Sequence, residues 1–173
     1  ILLDGEELAG AKQNRVLNTT VLVAANSEII IPVSCTEHGR WSYTSSEFRD
    51  SDLIMAYNIK RKKARSVMRN VRESGRYASD QKEVWDDIQA MSGNAKVHSS
   101  TGAMKDVFES REKDLDDYIN AITLMPAQKG IMVMINGALM GFDVLSSDTA
   151  YAKLHQKLLK SCAIEALLDR KKK

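Results

Sequence analysis

Between Pro32 and Tyr43 the chain reads PVSCTEHGRWSY, which sets Cys35, Glu37, His38, Arg40 and Trp41 within seven positions. Those residue types offer two kinds of chemistry. One is a thiol nucleophile at Cys35, but a neighbouring carboxylate raises a thiol pKa and works against activation. Cysteine is also among the most buried residue types, so core packing is the competing reading for Cys35. The other is anion binding, in which Arg40 holds a phosphate and Trp41 stacks on a ring. Against it stands an ordinary Glu37–Arg40 surface ion pair, a contact of about 0–1 kcal/mol.

A second stretch, DGEELAGAKQNR, collects Asp4, Glu6, Glu7, Gln13, Asn14 and Arg15 around Gly5 and Gly10. It reads as a polar loop between two apolar strands, longer than a hairpin connection needs. Its glycines fit neither a dinucleotide fingerprint nor a P-loop. A third stretch, KRKKARSVMRNVR, carries Lys60, Arg61, Lys62, Lys63, Arg65, Arg69 and Arg72 on one predicted helix. A solvated helix face is one reading, and docking of an acidic partner is the other. His38, His98 and His155 are scattered without metal-ligand spacing, so no metal is expected. No Gly-x-Ser-x-Gly elbow is present. Asp143, between strand segments, is expected to face solvent.

The elements that must position these groups follow from periodicity. Runs around VLNTTVLVAA and EIIIPVSC are rich in β-branched residues and read as strands, with Pro32 marking an edge or a bulge. From about residue 53 the period becomes helical. AYNIKRKKARSVMRNVRESG, SDQKEVWDDIQAM (N-capped by Asp80, with Glu83 three residues on) and STGAMKDVFESREKDLDDYINAI predict three successive helices. GIMVMINGALMGFDVL predicts a hairpin turning at Asn136-Gly137. SSDTAYAKLHQKLLKSCAIEALLDRKKK predicts a closing helix. Strands, then helices, then a hairpin and a helix give an α+β fold: a largely antiparallel sheet with several packed helices, in a single domain over 1–173.

Composition bounds the function class. The 173 residues are 43% hydrophobic and 28% charged, with a net charge of +2, so there is no clear nucleic-acid signal. No run approaches the ~20 apolar residues of a membrane span. Two distant cysteines match no redox or zinc spacing and suit reduced thiols in a cytoplasmic protein. ILLDGEEL lacks the basic start and cleavage site of a signal peptide. The chain opens without Met inside a strand-like run, so residues of a longer protein are expected before Ile1.

LLDGEELAGAKQNRVLN, IPVSCTEHGRW, SDQKEVWDDI, STGAM and INGALMGFDVL, in that order, resemble the ARG-and-rhodanese-phosphatase-superfamily-associated protein domain, a prokaryotic domain of unknown function. The resemblance runs over nearly the whole chain. It implies nucleotide or ADP-ribose biology by association and supplies no catalytic residues. The family's recurrent polar positions match Asp4, Gly5, Glu6, Gln13, Asn14, Arg15, Cys35, Glu37, Arg40 and Trp41. The resulting expectation is a small anionic ligand, nucleotide or ADP-ribose-like, bound by Gln13, Asn14, Arg15, Arg40 and Trp41. Glu6 and Glu37 orient these groups or act as acid and base. The alternative is an interaction or scaffold module that uses the basic helix 60–72. Enzyme activity, cofactor and homo-oligomerisation stay open.

Overall fold

A computed structural model describes residues 1–169. The fold is α+β, with two antiparallel sheets and five helices among the described residues. Strands β1 (Glu6–Gly10), β2 (Arg15–Leu17), β3 (Val33–Cys35) and β4 (Phe48–Ile54) form a sheet of order β3-β2-β1-β4. Helices α1 (Tyr57–Ser74), α2 (Gln81–Ala95), α3 (Met104–Glu109) and α4 (Glu112–Ala121) follow. The hairpin of β5 (Gly130–Ile135) and β6 (Ala138–Val144) stands as its own sheet, and α5 (Asp148–Asp169) closes the described chain. The closing helix predicted over 146–173 is thus seen to Asp169, and residues 170–173 lie outside the described residues.

Four expectations change. The stretch read as a polar loop supplies β1, a central strand of the main sheet. Its two glutamates point to opposite faces, and each finds an interior partner, so polarity does not exclude it from the sheet. The segment 48–54, FRDSDLI, is the edge strand β4, hidden in sequence by its charged outer half. By contrast, much of the apolar run at 19–32 makes no ladder beyond a Leu2–Val21 bridge. The third predicted helix is two, broken at Ser110–Arg111.

Elsewhere local signals hold. The Asp80 carboxylate accepts the Glu83 N–H at 3.1 Å and caps α2. Asn136 and Gly137 have φ of 51° and 79°, the left-handed pair that joins β5 to β6. On the free edge of β3, the Gln81 side chain pairs with the Cys35 backbone in both directions. It accepts the Cys35 N–H at 2.7 Å and donates to the Cys35 carbonyl at 2.9 Å.

The two faces of the sheet are buried differently. Val16 and Leu53 join α2, α3 and the C-terminal half of α5 in the larger core, with Ile88, Met104, Val107 and Ile164. Ile54 belongs to a second core with Leu145, Tyr151, Leu154 and Leu158. On that side Glu6, paired across the ladder with Ile54, accepts from Lys157 of α5 at 3.0 Å. The Lys157 ammonium also holds Asp50 of β4 at 2.5 Å. Burial favours the neutral amine, but Asp50 and Glu6 outweigh it and hold the Lys157 pKa above the ordinary lysine value.

Removing the cation alone strands a buried carboxylate. Lys157→Met is therefore expected to lose about 3 kcal/mol, a fall in Tm of roughly 6–12 °C at this chain length. Adding Glu6→Gln should restore most of it. Calorimetry of the single and double variants checks this, and additive losses would show that the pair does not couple β1 to α5.

Candidate functional site

The groups singled out in sequence meet where the β1–β2 turn touches the segment after β3. Gln13 is fully buried, and its amide donates to the Glu37 carbonyl at 2.8 Å. The Asn14 N–H donates to Glu37 Oε2 at 3.2 Å. The Arg40 guanidinium sits in the middle. Its Nε donates to Glu37 Oε2 at 2.8 Å, its Nη2 lies 2.7 Å from the same oxygen and donates to Asn14 Oδ1 at 3.1 Å, and its Nη1 donates to the Ala11 carbonyl and Thr44 Oγ1, each at 2.9 Å. Every nitrogen of Arg40 is thus engaged by protein acceptors.

The remaining candidates lie around this knot. Arg15 donates to Gln13 Oε1 at 2.9 Å and also approaches Cys35 Sγ. Burial raises the Cys35 thiol pKa and Arg15 only partly offsets it, so this thiol is not activated. Trp41 is 67% exposed and stands apart from the hydrogen-bonded cluster. Glu6 and Glu37, the acid–base candidates, are both held by cations, on different sides of the fold. Burial pushes the Glu37 carboxyl up, but hydrogen bonds from Arg40, Thr101 and the Asn14 N–H more than offset this and keep it below the ordinary range.

The knot fixes a wall. The Gly39 N–H donates to the Thr101 carbonyl at 2.7 Å, and the Met104 N–H to the Thr36 carbonyl at 3.0 Å. Residues 36–39 are thereby sewn to 101–104. His38 stands edge-on to Trp85 of α2, ring centroids 4.5 Å apart, at one side of a cleft of about 760 Å³.

Glu7, beneath the knot, was not singled out for chemistry in sequence. It is fully buried; Oε1 accepts the Thr36 hydroxyl at 2.7 Å, and Oε2 has no partner. Burial pushes its carboxyl up to about 7, against the pull of Thr36, Ser51 and Lys105.

The second missed feature is the direction of the cations on α1. Lys60 and Lys63 turn inward, not to the solvated face expected. Lys60 pairs with Asp143 at 2.9 Å, which corrects the solvent-facing reading of Asp143. Lys63 pairs with Asp4 at 2.5 Å and also donates to the Leu17 carbonyl. Lys62 pairs with Asp87 at 2.5 Å. Arg61, Arg65, Arg69 and Arg72 point out, and among the described residues no ion pair or hydrogen bond engages their side chains. They line a groove of about 690 Å³ with Tyr57, Ala64 and Met68. The signal was present in sequence as the 61, 65, 69, 72 spacing, one stripe of a helix about 17 Å long.

Two outcomes follow for the knot. Arg40→Lys, which keeps the charge but not the fork, is expected to lose about 3 kcal/mol, because acceptors are left unsatisfied. A chemical-denaturation midpoint equal to that of the parent would rule out the structural role. Glu7 carries a proton in the fold between about pH 4.5 and 7 that the unfolded chain has lost. Stability is therefore fully present below about pH 4.5 and declines as pH rises through about 7. Glu7→Gln is expected to be about 3 kcal/mol more stable than the parent at pH 8.5 and equal to it at pH 4. Parallel pH–stability curves for the two proteins would contradict this.

No curated protein and no solved structure matches the chain. The family model of the ARG and Rhodanese-Phosphatase-superfamily-associated Protein domain matches residues 1–173, and the chain belongs to that family.

Proposed function

We propose that this domain binds a small phosphate-bearing anion, nucleotide or ADP-ribose-like, in the groove along α1. The observation that carries the reading is the row of Arg61, Arg65, Arg69 and Arg72, which form no ion pair among the described residues and outnumber the two carboxylates of the same groove, Glu73 and the Lys63-paired Asp4. Guanidinium groups are always charged and match phosphate oxygens in pairs. Ala64, Met68 and Tyr57 supply apolar surface between them, and about 690 Å³ suits a ligand of nucleotide size. In this reading Gln13, Asn14, Arg15 and Arg40 build the sheet end instead of holding the ligand, since the Arg40 fork is already filled. Trp41 lies outside the groove lining.

A second reading uses the same surface. Met68 is 54% exposed beside the arginines, and a surface both apolar and cationic also suits an acidic amphipathic helix of a protein partner.

Titration calorimetry with ADP-ribose, ATP and inorganic phosphate separates the two. The first reading expects binding that weakens with salt and drops at least ~100-fold in Arg65→Glu/Arg69→Glu, at about 1.5–3 kcal/mol per lost charged hydrogen bond. Both residues are exposed, so the fold is expected to survive. Silence toward all three ligands, with an acidic helical peptide bound instead, would transfer the groove to the partner-docking reading. Equal affinity in parent and variant would remove α1 from either.

A further inference from the structure

The β5–β6 hairpin is an arm with one bare side. Its ladder sets Met132 opposite Phe142, Met134 opposite Leu139 and Gly130 opposite Val144. Alternation sends those side chains to one face and Ile131, Val133, Ile135 and Asp143 to the other. The second face meets the body. Asp143 pairs with Lys60, and Gly141 lies so close to Tyr57 that a β-carbon there would fall 1.6 Å from the phenol oxygen. At the tip, Asn136 donates to Asp169 at 2.6 Å. Among the described residues, the first face stays largely open to solvent. Met132, Met134, Leu139, Phe142 and Val144 are 57–70% exposed, and no charged residue interrupts them.

Contiguous apolar surface of this kind marks an interaction site. We propose that two copies of this chain pack these faces together as a two-fold dimer, sheet on sheet. Area and charge both favour a second copy. At on the order of 100 Å² exposed by each side chain, five give about 500 Å² per copy and about 1,000 Å² across two, the threshold that a weak, reversible interface must reach. Charge on a partner selects by opposite charge. A face with none is complementary to its own likeness, and a two-fold axis through its middle sets the Met132–Phe142 pair on its equivalent. The arginine groove on α1 lies on other residues and is not needed for this contact.

Sedimentation equilibrium of the full chain over about 1–100 μM tests the dimer, because an interface at the small end of the range should dissociate there. The expected result is a mass that doubles with concentration. Met134→Lys/Phe142→Lys, both at exposed positions, should stay monomeric with an unchanged circular dichroism spectrum. A monomer throughout that range overturns the proposal, and if such a monomer floats with phosphatidylcholine vesicles the face belongs to a lipid surface. A dimer that survives the double variant also overturns it, since the contact then lies elsewhere.

Discussion

A central strand with a carboxylate on each face constrains this fold. Glu6 and Glu7 are neighbours on β1, so one faces α5 and the other faces the core built by α2 and α3. Neither can be left charged and unpaired inside a protein. The two solutions differ. Glu6 stays paired with a lysine that reaches from α5 and also gathers Asp50, which ties three elements at one atom. Glu7 accepts one hydroxyl and takes up a proton near neutrality. Buried ion pairs are poor sources of net stability. Their effect here is selective, because α5 has one position in which Lys157 meets both carboxylates.

The same logic sorts the basic residues of α1. Lysine carries its charge on a slender flexible stem, and Lys60 and Lys63 thread inward to Asp143 and Asp4. Arg61, Arg65, Arg69 and Arg72 are left outside as a row along the groove. A run that looks uniformly basic in sequence therefore splits into a structural half and an exposed half. The polar motif around Arg40 splits the other way. Its guanidinium joins the β1–β2 turn to residues 37–44, and what it leaves at the surface are His38 and Trp41.

Legibility followed the locality of each signal. The Asp80 cap, the Asn136-Gly137 turn and the helical periodicities depend on residues a few positions apart, and sequence alone locates them. β1 was read as loop because Glu6 and Glu7 look unfit for a sheet centre until Lys157, some 150 positions away, is brought beside Glu6. β4 was missed for a similar reason, as FRDSDLI buries only its last two residues. The runs at 19–32 show the converse, β-branched residues with little to pair against. For the candidate site, the clustering of Gln13, Asn14, Glu37 and Arg40 was legible from residue type. Whether Arg40 faces a ligand or six backbone and side-chain acceptors is decided by where two loops meet, which no spacing encodes.

The Gln81 amide on β3 has a consequence for the sheet as a whole. A primary amide that accepts one N–H and donates to one carbonyl of the same residue reproduces a single rung of a β-ladder. It occupies the hydrogen-bonding groups of Cys35 that a stray strand would otherwise recruit. A side chain at the start of α2 thus closes this border of the main sheet, so that growth by strand addition at Cys35 is refused by the fold itself.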